Sequence, residues 1–482
     1  MPKTNRCSAP ITRTFDACLV SPPSERIEME STILRHQLRL IDPSNTVACM
    51  WIPTLKSAIV GVLGCWLSVS AWAQSALAQE HSTCKSWQEV LESENLRYAK
   101  ITRVSEPGTK DRPNYNGFWF FDGIQFDESG RYALAMRVHF QNRDVTPSDR
   151  GEIGYIDLQD NNKWTKIGET TAWNWQQGCR LTWRGSSQEI LWNDRADDSS
   201  HFVCRTYDFQ TGQRRTLPRP IYDVSRDGAF ALTHDFARMK HGGTNYVGIP
   251  DRYESEIAPS EGGIEKMDLN TGRVEFLISL KRMAEIAFPA DYQGKTNLYF
   301  FREGWNPSSA RFIAFLKNAD RPTYTGGWSI SADGQDVRFL YSSPSHHTWL
   351  DDNTILEGHH FSTYNDDGSG KSHGIEEVGD VNFDTNVLPG GQWFLLDTYP
   401  LKGYQYVVLY HRPSRLFVPL AKLKNTAQVG TIHRVDIHAR TSRDGRTVCI
   451  DASYEDLGRQ MYVIPIGHIL DNPPRGEIIS AP

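Results

Sequence analysis

The sequence has 482 residues, and its 52 Lys and Arg against 58 Asp and Glu give a formal net charge of -6 at pH 7. This slight acidic excess excludes the broad basic surface that nucleic-acid binding needs, and 39% hydrophobic residues exclude a disordered chain. Aromatic residues are frequent, with 14 Trp, 19 Tyr and 21 Phe, and they favour β-structure and a surface on which a ring-shaped ligand can stack.

Residues 50–78 have the pattern of a secretory signal peptide. Lys56 supplies the positive charge, 57–73 form an uncharged and mostly apolar run, and 71–73 and 76–78 are small-x-small cleavage sites. The alternative is a membrane anchor, but the run is shorter than the roughly 20 residues that a spanning helix needs. The sequence therefore predicts export to the periplasm or the exterior, with no stable membrane span after cleavage.

The segment before this pattern, residues 1–49, is polar and shows no clear period, and a signal peptide does not normally begin at residue 50. We expect Met50 to be the true start and residues 1–49 to be spurious or disordered. Cys65 has a lipoprotein-like setting, but the apolar run continues past it, which disfavours lipidation. No Pro/Ser-rich linker divides residues 79–482, and their four cysteines show no zinc spacing, so we expect a single domain without structural zinc.

The rest of the chain repeats one unit, which is a strand, a tight turn rich in Asp, Ser and Gly, and an apolar strand. Such turn residues adopt left-handed backbone at low cost and mark β-hairpins. Seven copies occur, at 126–136, 183–192, 224–233, 305–315, 349–358, 387–397 and 441–451. They predict an all-β, seven-bladed β-propeller, whereas a two-sheet sandwich would not need seven copies of one turn.

Two further features complete the predicted architecture. Only 87–96 and 280–286 have helical patterns. Because closure of the ring removes exposed strand edges, the strand material at 98–104 is expected to pair with 460–465 in the last blade.

The residues ahead of the seven turns are polar or cationic, where a core strand would carry Val or Ile. Buried polar groups cost free energy unless they are paired, and these positions lie at the channel end of each innermost strand in a propeller. The pattern predicts a solvated pocket for a polar, anionic ligand. The candidates are Asn116, Trp119, Gln176, Gln177, Tyr222, Arg302, His346, His347, Asp380, Asn382, Arg434, Asp436 and His438.

Structural explanations for these and nearby residues stay open at this point. Strand alternation puts the polar residues of 434–440 on one face, which is either a solvent-facing edge or a pocket wall. Arg238 is either a salt-bridged strand end or a substrate ligand. Tyr246 is a surface residue or a ligand contact, and Trp175 is a core residue or a platform for a sugar. The two adjacent histidines are either part of a turn or part of a site.

Several segments, taken in order, resemble the oligogalacturonate lyase family and its wider group of exported lyase-like propellers. The resemblance covers nearly all of 115–466, and it is carried by 133–158, 173–178 (WNWQQG), 217–228, 235–238 (DFAR), 395–400 (LLDTYP), 434–445 (RVDIHARTSRDG) and 459–464. It implies a seven-bladed propeller that cleaves uronate-containing oligosaccharides by β-elimination. In oligogalacturonate lyases a manganese ion held by His and Gln sits at the channel mouth and a His acts as base. Related ulvan lyases use a Tyr and His pair with an Arg beside the uronate.

The resemblance, joined to the chemistry of elimination, assigns roles to the candidates. His438, His346 or His347 would be the base or a metal ligand, and His suits a base that works near neutral pH. Tyr222 would protonate the leaving group. Arginine suits the substrate carboxylate because its fork binds both oxygens. The expected partner is an acidic oligosaccharide, and its expected binding residues are Arg434, Arg238, Arg302, Gln177, Trp175 and Tyr246.

Manganese is the cofactor that the family implies, with His438, His347 and Asp380 as the possible ligands in this chain. The sequence departs from the family pattern at two places. Arg302 stands where many relatives carry a His, and Asp380 stands where they often read Gly-His. Because an arginine near a dication adds like-charge repulsion, we expect weak or absent manganese dependence.

Two other functions stay open from the sequence. One is a glycoside hydrolase with Asp380 and Asp436 as its paired carboxylates. The other is a non-catalytic propeller of lyase ancestry that binds sugar or protein. Ultraviolet absorbance of an unsaturated product would separate a lyase from a hydrolase, and binding without product would identify the non-catalytic module.

Overall fold

The computed structural model describes residues 81–287, 297–318, 324–342, 345–358, 361–373, 375–379, 381–427 and 431–475. The chain divides into two units, Met1–Ala76 and Leu77–Pro482, and all of the described residues belong to the second. The predictions on residues 1–49, on the signal peptide at 50–78 and on Asp380 therefore lie outside the described residues. Within the described ranges, no helix has the length and hydropathy to cross a membrane.

The described residues form seven four-stranded antiparallel sheets, so the predicted all-β, seven-bladed propeller is confirmed. Each of the first six blades uses four consecutive strands. Blade 1 contains β2 (Tyr115–Gly117), β3 (Tyr132–Val138), β4 (Gly151–Asp157) and β5 (Lys163–Thr170). Blade 2 contains β6 (Thr182–Trp183), β7 (Glu189–Arg195), β8 (Phe202–Asp208) and β9 (Arg214–Leu217). Blade 3 contains β10 (Asp223–Val224), β11 (Phe230–Thr233), β12 (Gly263–Asp268) and β13 (Val274–Ser279).

The second half of the ring repeats the arrangement. Blade 4 contains β14 (Leu298–Trp305), β15 (Arg311–Asn318), β16 (Tyr324–Ser331) and β17 (Val337–Tyr341). Blade 5 contains β18 (His347–Trp349), β19 (Thr354–Glu357), β20 (Ser362–Asn365) and β21 (Ser372–His373). Blade 6 contains β22 (Phe383–Val387), β23 (Trp393–Thr398), β24 (Tyr404–His411) and β25 (Leu416–Lys424). Blade 7 contains β26 (Arg440–Thr441), β27 (Thr447–Ala452), β28 (Gln460–Pro465) and β1 (Thr102–Arg103).

Blade 7 closes the ring with strands from both ends of the propeller. Thr102 pairs with Val463 and Arg103 pairs with Tyr462 in antiparallel register. The pairing predicted between 98–104 and 460–465 is therefore confirmed. It leaves blade 7 without an open outer edge on the side of β28, because β1 satisfies the backbone groups there.

The hairpin turns lie where the sequence predicts them, between the first and second strands of each blade. The turn of blade 7 is representative, since the N–H of Gly445 donates to the carbonyl of Ser442 at 2.8 Å. Gly445 has a φ of 72°, and a Cβ there would stand 2.9 Å from Pro389 in the next blade. Glycine is required at this turn for both reasons.

Within the described ranges, three short α-helices flank the propeller: α1 (Trp87–Glu92), α2 (Leu280–Ala287) and α3 (Gly467–Asp471). The Ser86 hydroxyl accepts from the backbone N–H of Glu89 and caps α1. Trp87 on α1 packs its ring against Phe383 and Tyr406 of blade 6 at 4.9 and 5.5 Å. The two predicted helices are present, and α1 ends at Glu92, earlier than the pattern 87–96 suggests.

Candidate functional site

One layer of the channel is built from the same position in five blades. The residue lies four positions before the one that opens the hairpin turn, namely Arg180, Arg302, His346, Asp384 and His438. Three of them, Arg180, Arg302 and His438, have left-handed backbone, with φ of 55°, 56° and 45°. Residues other than glycine seldom adopt this conformation, and where they do the strain often marks a functional site.

Four buried residues from blades 5, 6 and 7 form a carboxylate–histidine cluster, which consists of His346, Asp384, Asp436 and His438. Each is 2% to 4% exposed. Asp384 lies between the two histidines, with Oδ1 2.7 Å from His346 Nε2 and Oδ2 3.6 Å from His438 Nε2. Asp436 Oδ2 stands 4.0 Å from His438 Nε2. The structure therefore brings together two of the predicted histidines and adds Asp384 to them.

His346 is fixed by contacts at both ring nitrogens. Its Nδ1 lies 2.9 Å from the Asn382 side-chain oxygen and 3.2 Å from the Ser345 hydroxyl. On the other side of the ring, Tyr399 Oη lies 3.3 Å from Nε2, next to the contact with Asp384. These contacts hold the imidazole in one orientation, so His346 positions Asp384 and Tyr399.

The two ring nitrogens of His438 have different surroundings. Its Nε2 faces the carboxylates of Asp384 and Asp436, while its Nδ1 has no hydrogen-bond partner among the described residues. Burial lowers the pKa of His438 to about 4, against the opposing pull of the two carboxylates. The ring is therefore neutral at pH 7, and carboxylates facing Nε2 favour the tautomer that leaves a lone pair on Nδ1.

Two buried carboxylates beside each other titrate in opposite directions. Burial raises the pKa of Asp384, but His346, His438 and Arg302 outweigh it and hold that pKa below its ordinary value. Burial and the charge of Asp384 raise the pKa of Asp397 well above its ordinary value. One member of this pair is ionised and the other keeps its proton, as like charges in a low-dielectric site require.

Arg434, one of the predicted substrate-binding cations, borders the carboxylate–histidine cluster and is partly exposed to solvent. Its Nε lies 2.9 Å from Asp436 Oδ2, its guanidinium lies 5.4 Å from the centre of the Tyr399 ring, and its side chain is 27% exposed. The predicted extended strand over 434–440 is replaced by irregular backbone up to Arg440, where β26 begins. The left-handed backbone at His438 breaks the strand alternation, so Arg440 points instead to Asp451.

Blade 1 sends a segment into the channel at this layer. Its first strand ends at Gly117, and the following residues 118–121, FWFF, form an aromatic plug. The Phe120 ring lies 5.3 Å from the His438 ring, and the Phe121 ring lies 5.6 Å from the His346 ring. Two phenylalanine rings therefore cover the two histidines of the carboxylate–histidine cluster.

A hairpin-side cavity of about 730 Å³ lies against the aromatic plug, and residues from all seven blades line it. Its walls include Phe118, Phe120 and Phe121, but none of the four residues of the carboxylate–histidine cluster. Residues 306–307, 389–391 and 442–443 of the hairpin turns also line it. The plug thus stands between the cluster and a cavity that reaches the face formed by the hairpin turns.

Four of the predicted site residues line this cavity: Gln177, Tyr222, Arg302 and His347. Gln177 Nε2 donates to the Tyr222 hydroxyl at 2.8 Å, and burial raises the pKa of Tyr222. Tyr222 therefore keeps its proton at neutral pH. Burial and the nearby charge of Arg302 lower the pKa of His347 to about 3, so that histidine is neutral as well.

His347 lies on the opposite side of its strand from His346. Its Nε2 would stand 2.7 Å from a Cβ at position 304, which is glycine. The ring packs against Phe315 at 5.2 Å. Gly304 therefore makes room for His347, and the two adjacent histidines serve different parts of the channel, as alternation along a strand requires.

Sequence reasoning missed a second buried acid–base set on the wall of the cavity. Glu303 Oε2 lies 2.8 Å from His234 Nδ1, and both residues are buried. Asp223 accepts from the backbone N–H of Trp305 at 2.8 Å, and burial with the nearby Asp122 raises its pKa to about 7. Asp223 follows Tyr222 and Glu303 follows Arg302 directly, so inspecting the neighbours of the predicted residues would have found both.

Arg238, predicted to bind substrate, lies outside the channel site. Its Nε donates to the carbonyl of Leu298 at 2.6 Å, and Nη1 reaches Asp251 Oδ2 at 3.1 Å and the carbonyl of Tyr253 at 2.9 Å. Nη2 donates to two further carbonyls at positions 256 and 257. This fully bonded and buried guanidinium holds the loop over 251–257 to blade 4, which accounts for it without a ligand.

Trp175 and Tyr246 are also core residues. The Trp175 indole N–H donates to the carbonyl of Arg143 at 2.7 Å, and the residue is 4% exposed. Tyr246 is fully buried, its ring stacks on Phe236 with 4.4 Å between centroids, and its hydroxyl accepts from Asn193. Neither ring presents a face on which a sugar could stack.

The residues of the carboxylate–histidine cluster do not fit a metal ion. No group of three or more His, Cys, Asp or Glu among the described residues is arranged to hold one. His346 and Asp384 contact each other at 2.7 Å, so the atoms that would bind a metal are already engaged. His347, a predicted ligand, lies away from His438 on the cavity wall. We derive no step through a metal.

No protein-family model matches the sequence, and no curated protein gives a significant match. Among solved structures, an oligogalacturonate lyase in complex with manganese is similar, with a TM-score of 0.52 at 11% identity, over 80% of this chain and 96% of that chain. An oligogalacturonate lyase from Vibrio parahaemolyticus gives a TM-score of 0.51 at 10% identity, over the same shares.

The propeller domain of the Trilobed protease from Pyrococcus furiosus matches over 77% of this chain and 98% of its own, with a TM-score of 0.42 at 11% identity. At such identities the comparisons show the fold that this chain shares with the two lyases. Function depends on the residues of the site and not on the shared fold.

Proposed function

We propose that the chain is a lyase that cleaves uronate-containing oligosaccharides by β-elimination, with the carboxylate–histidine cluster at its centre. The observation that carries the proposal is His438, a buried neutral imidazole whose Nε2 faces two carboxylates and whose Nδ1 has no partner among the described residues. Such a group keeps a free lone pair at neutral pH, and the two carboxylates offset part of the cost that burial adds to the imidazolium that forms. The fold it shares with oligogalacturonate lyases agrees with this assignment.

In the proposed reaction, His438 Nδ1 takes the proton from C5 of the uronate. The electron pair of that bond moves into the carboxylate-stabilised carbanion, then forms the C4–C5 double bond as the C4–O bond breaks. Arg434, which is partly exposed, binds the substrate carboxylate and neutralises the charge that develops there. Arg302, which the sequence also predicts to bind substrate, lines the hairpin-side cavity with its guanidinium against the rings of Phe120 and Phe121, so it is not assigned to this carboxylate.

The leaving oxygen needs a proton, and Tyr399 is the residue we assign to supply it. Burial and the charge of Asp384 raise the pKa of Tyr399, so the phenol is protonated at neutral pH. Its hydroxyl lies 3.3 Å from His346 Nε2, which holds it beside the cluster. Tyr222, the acid expected from the sequence, lines the hairpin-side cavity instead, where the aromatic plug separates it from His438.

The test is an assay of the purified chain on galacturonate, glucuronate and sulfated-uronate oligosaccharides. A lyase produces an unsaturated product that absorbs in the ultraviolet, and the signal should vanish in His438→Ala. New reducing ends without that absorbance would favour the glycoside hydrolase. Tight binding of an oligouronate without any product would favour the non-catalytic module.

The proposal includes export of the protein from the cytoplasm and an acidic oligosaccharide as its binding partner. The signal-peptide pattern at 50–78 supports a location outside the cytoplasm. N-terminal sequencing of the native protein tests it. We expect a terminus at or near residue 79, and any peptide from 1–49 would contradict the assignment of Met50 as the start.

A further inference from the structure

We infer that the hairpin-side cavity is a second binding site, separate from the carboxylate–histidine cluster, for an acidic monosaccharide or disaccharide. Its volume of about 730 Å³ lies within the range of small-molecule pockets, roughly 300–1,000 Å³. The exposed residues Arg226, Pro389 and Gly390 belong to its wall, so it reaches the surface on the face of the hairpin turns. The inference does not depend on the proposed elimination.

The first argument is a set of unsatisfied polar atoms. Five residues of the wall each have a buried side-chain atom without a hydrogen-bond partner among the described residues. These atoms are Gln177 Oε1, Glu303 Oε1, Trp305 Nε1, His347 Nδ1 and Thr385 Oγ1. A buried polar atom left unsatisfied is destabilising by about 1–3 kcal/mol, so five in one cavity are typical of a site completed by a polar ligand.

The second argument concerns the kind of ligand. Gln177 Oε1 and Glu303 Oε1 accept hydrogen bonds, whereas Trp305 Nε1 only donates. An unprotonated inorganic anion such as sulfate offers acceptors alone and would leave the two oxygens unsatisfied, and phosphate near neutral pH offers at most two donors. Hydroxyl groups both donate and accept, so a polyhydroxylated ligand satisfies both kinds. The half-buried ring of Trp349 on the same wall offers apolar surface to the C–H face of a sugar.

The third argument is charge. The wall contains five arginines and three carboxylates, namely Arg180, Arg226, Arg302, Arg440 and Arg443 against Asp122, Asp223 and Glu303. Three of the arginines face a carboxylate, since Arg180 pairs with Asp122 at 2.8 Å, Arg440 with Asp451 at 2.8 Å, and Arg443 lies 3.6 Å from Glu128. The raised pKa of Asp223 reduces the negative charge near neutral pH, so Arg226 and Arg302 keep the wall positive. The net positive wall favours a sugar that carries an acidic group over a neutral one.

The aromatic plug keeps the two sites apart. Phe120 and Phe121 line the cavity on one side and contact His438 and His346 on the other. A ligand in the cavity therefore contacts the phenylalanine rings and reaches neither His346 nor His438. Replacing a residue on one side should leave binding on the other side unchanged, which gives the inference its test.

The experiment is isothermal titration of the full chain with D-glucuronate and D-galacturonate, and with D-galactose and inorganic phosphate as neutral and non-sugar probes. We expect a uronate site whose affinity is weakened about three- to tenfold in Thr385→Val and in Trp305→Phe, since each removes one hydrogen bond to the ligand. His438→Ala should bind with unchanged affinity. Thr385→Val removes an unsatisfied polar atom with little change of volume, so its thermal unfolding should show no loss of stability. Trp305→Phe removes part of a ring that packs against Phe312 at 5.4 Å, so its binding is measured well below its melting temperature.

Several outcomes would overturn the inference. These are no heat of binding from either uronate at millimolar concentration, equal affinity for galactose, equal affinity for phosphate, or affinity lost in His438→Ala but kept in Thr385→Val. If Thr385→Val unfolds, Trp305→Phe decides the question alone. The elimination assay is independent of these titrations, so a chain that binds at the cavity without producing unsaturated sugar would refute the proposed function and leave this site standing.

Discussion

The two sides of the aromatic plug use the same types of side chain in opposite ways. In the carboxylate–histidine cluster, Asp384 Oδ1 lies 2.7 Å from His346 Nε2 and Asp436 Oδ2 lies 2.9 Å from Arg434 Nε, so the charged groups face one another, while His438 Nδ1 has no hydrogen-bond partner among the described residues. Around the hairpin-side cavity, five polar atoms are without partners among the described residues. Groups that are paired with each other are held in a fixed geometry, as chemistry requires, whereas unpaired groups around a space are completed by what binds there.

The largest effect that tests this difference is expected for His438→Ala. Loss of a positioned general base costs about 10²–10⁴-fold in rate, so turnover on a cleaved oligouronate should fall by that factor. The substitution also removes a buried ring that packs against Phe120 at 5.3 Å, so the melting temperature should fall, and turnover is compared at a temperature at which both proteins are folded. The exposed His201 in blade 2 provides a matched control, and His201→Ala should keep full turnover. Turnover near that of the parent in His438→Ala would remove this residue from the site.

Arg434→Lys should have the next largest effect. A lysine keeps the positive charge near Asp436, but it replaces a bidentate fork with a point charge. A hydrogen bond to a charged group is worth about 1.5–3 kcal/mol, so kcat/KM should fall by roughly ten- to a hundredfold. Steady-state kinetics of the two proteins on one oligouronate checks this. An unchanged kcat/KM would mean that another cation, of which Arg302 is the first to examine, binds the carboxylate.

The acid limb of the pH–activity profile should lie well below the pKa of an ordinary histidine. The groups that face His438 are Asp384, Asp436, Asp451 and Arg440, and the net effect of burial against them is a pKa of about 4. His438 would remain an unprotonated base down to that value, so kcat/KM should stay level from pH 7 to about 5 and fall near 4. A half-maximal value near the ordinary histidine pKa of 6.5 would contradict the buried, neutral assignment.

The lowered pKa of His438 also leads us to expect a small pH dependence of the free energy of unfolding. Between about pH 4 and 6.5 the unfolded chain binds a proton at His438 that the folded chain does not, so this residue's contribution to the free energy of unfolding rises with pH across that window. His438→Phe should flatten the rise. Denaturant titrations of both proteins at pH 4.5 and 6.5 measure the difference, and identical slopes would show that His438 titrates normally when folded.

The smallest effect is expected from metal removal. The atoms of His346 and Asp384 that would bind a cation engage each other, and Arg302 lies in the same layer. Chelation followed by the elimination assay should change the rate by less than about twofold. Loss of activity on chelation, restored by manganese, would show that the cluster rearranges around an ion.

The fold could be read from the sequence because its signal is local. Turns such as 441–445 combine Asp and Gly at positions that need their backbone freedom, and the repeat of this turn defines the blades. Closure by 98–104 could be predicted because an unpaired edge is unfavourable. Both depend on residues close in the chain or on the ring as a whole.

The site could be read only in part, because its contacts join distant blades. The segment 434–438 contained the right residues, but strand alternation could not reveal the left-handed backbone at His438 that turns Arg440 elsewhere. The sequence around Asp384 has the pattern of a plain strand, and only the contact with His346 in the neighbouring blade identifies Asp384 as a site residue. Trp175 and Arg238 have the chemistry of ligand contacts, and only their hydrogen bonds to carbonyls identify them as structural.

The buried carboxylate of Asp451 in β27 has a consequence for the order in which the protein is made. It accepts the backbone N–H groups of Phe118 and Trp119, and it also pairs with Arg440 and Arg459. The two partners of the first contact are 333 positions apart in the chain. During synthesis, the segment that plugs the channel must therefore wait for the C-terminal blade before it can be anchored. The centre of the ring is the last part to assemble, and a truncated or nascent chain would hold most of the blades but neither binding surface.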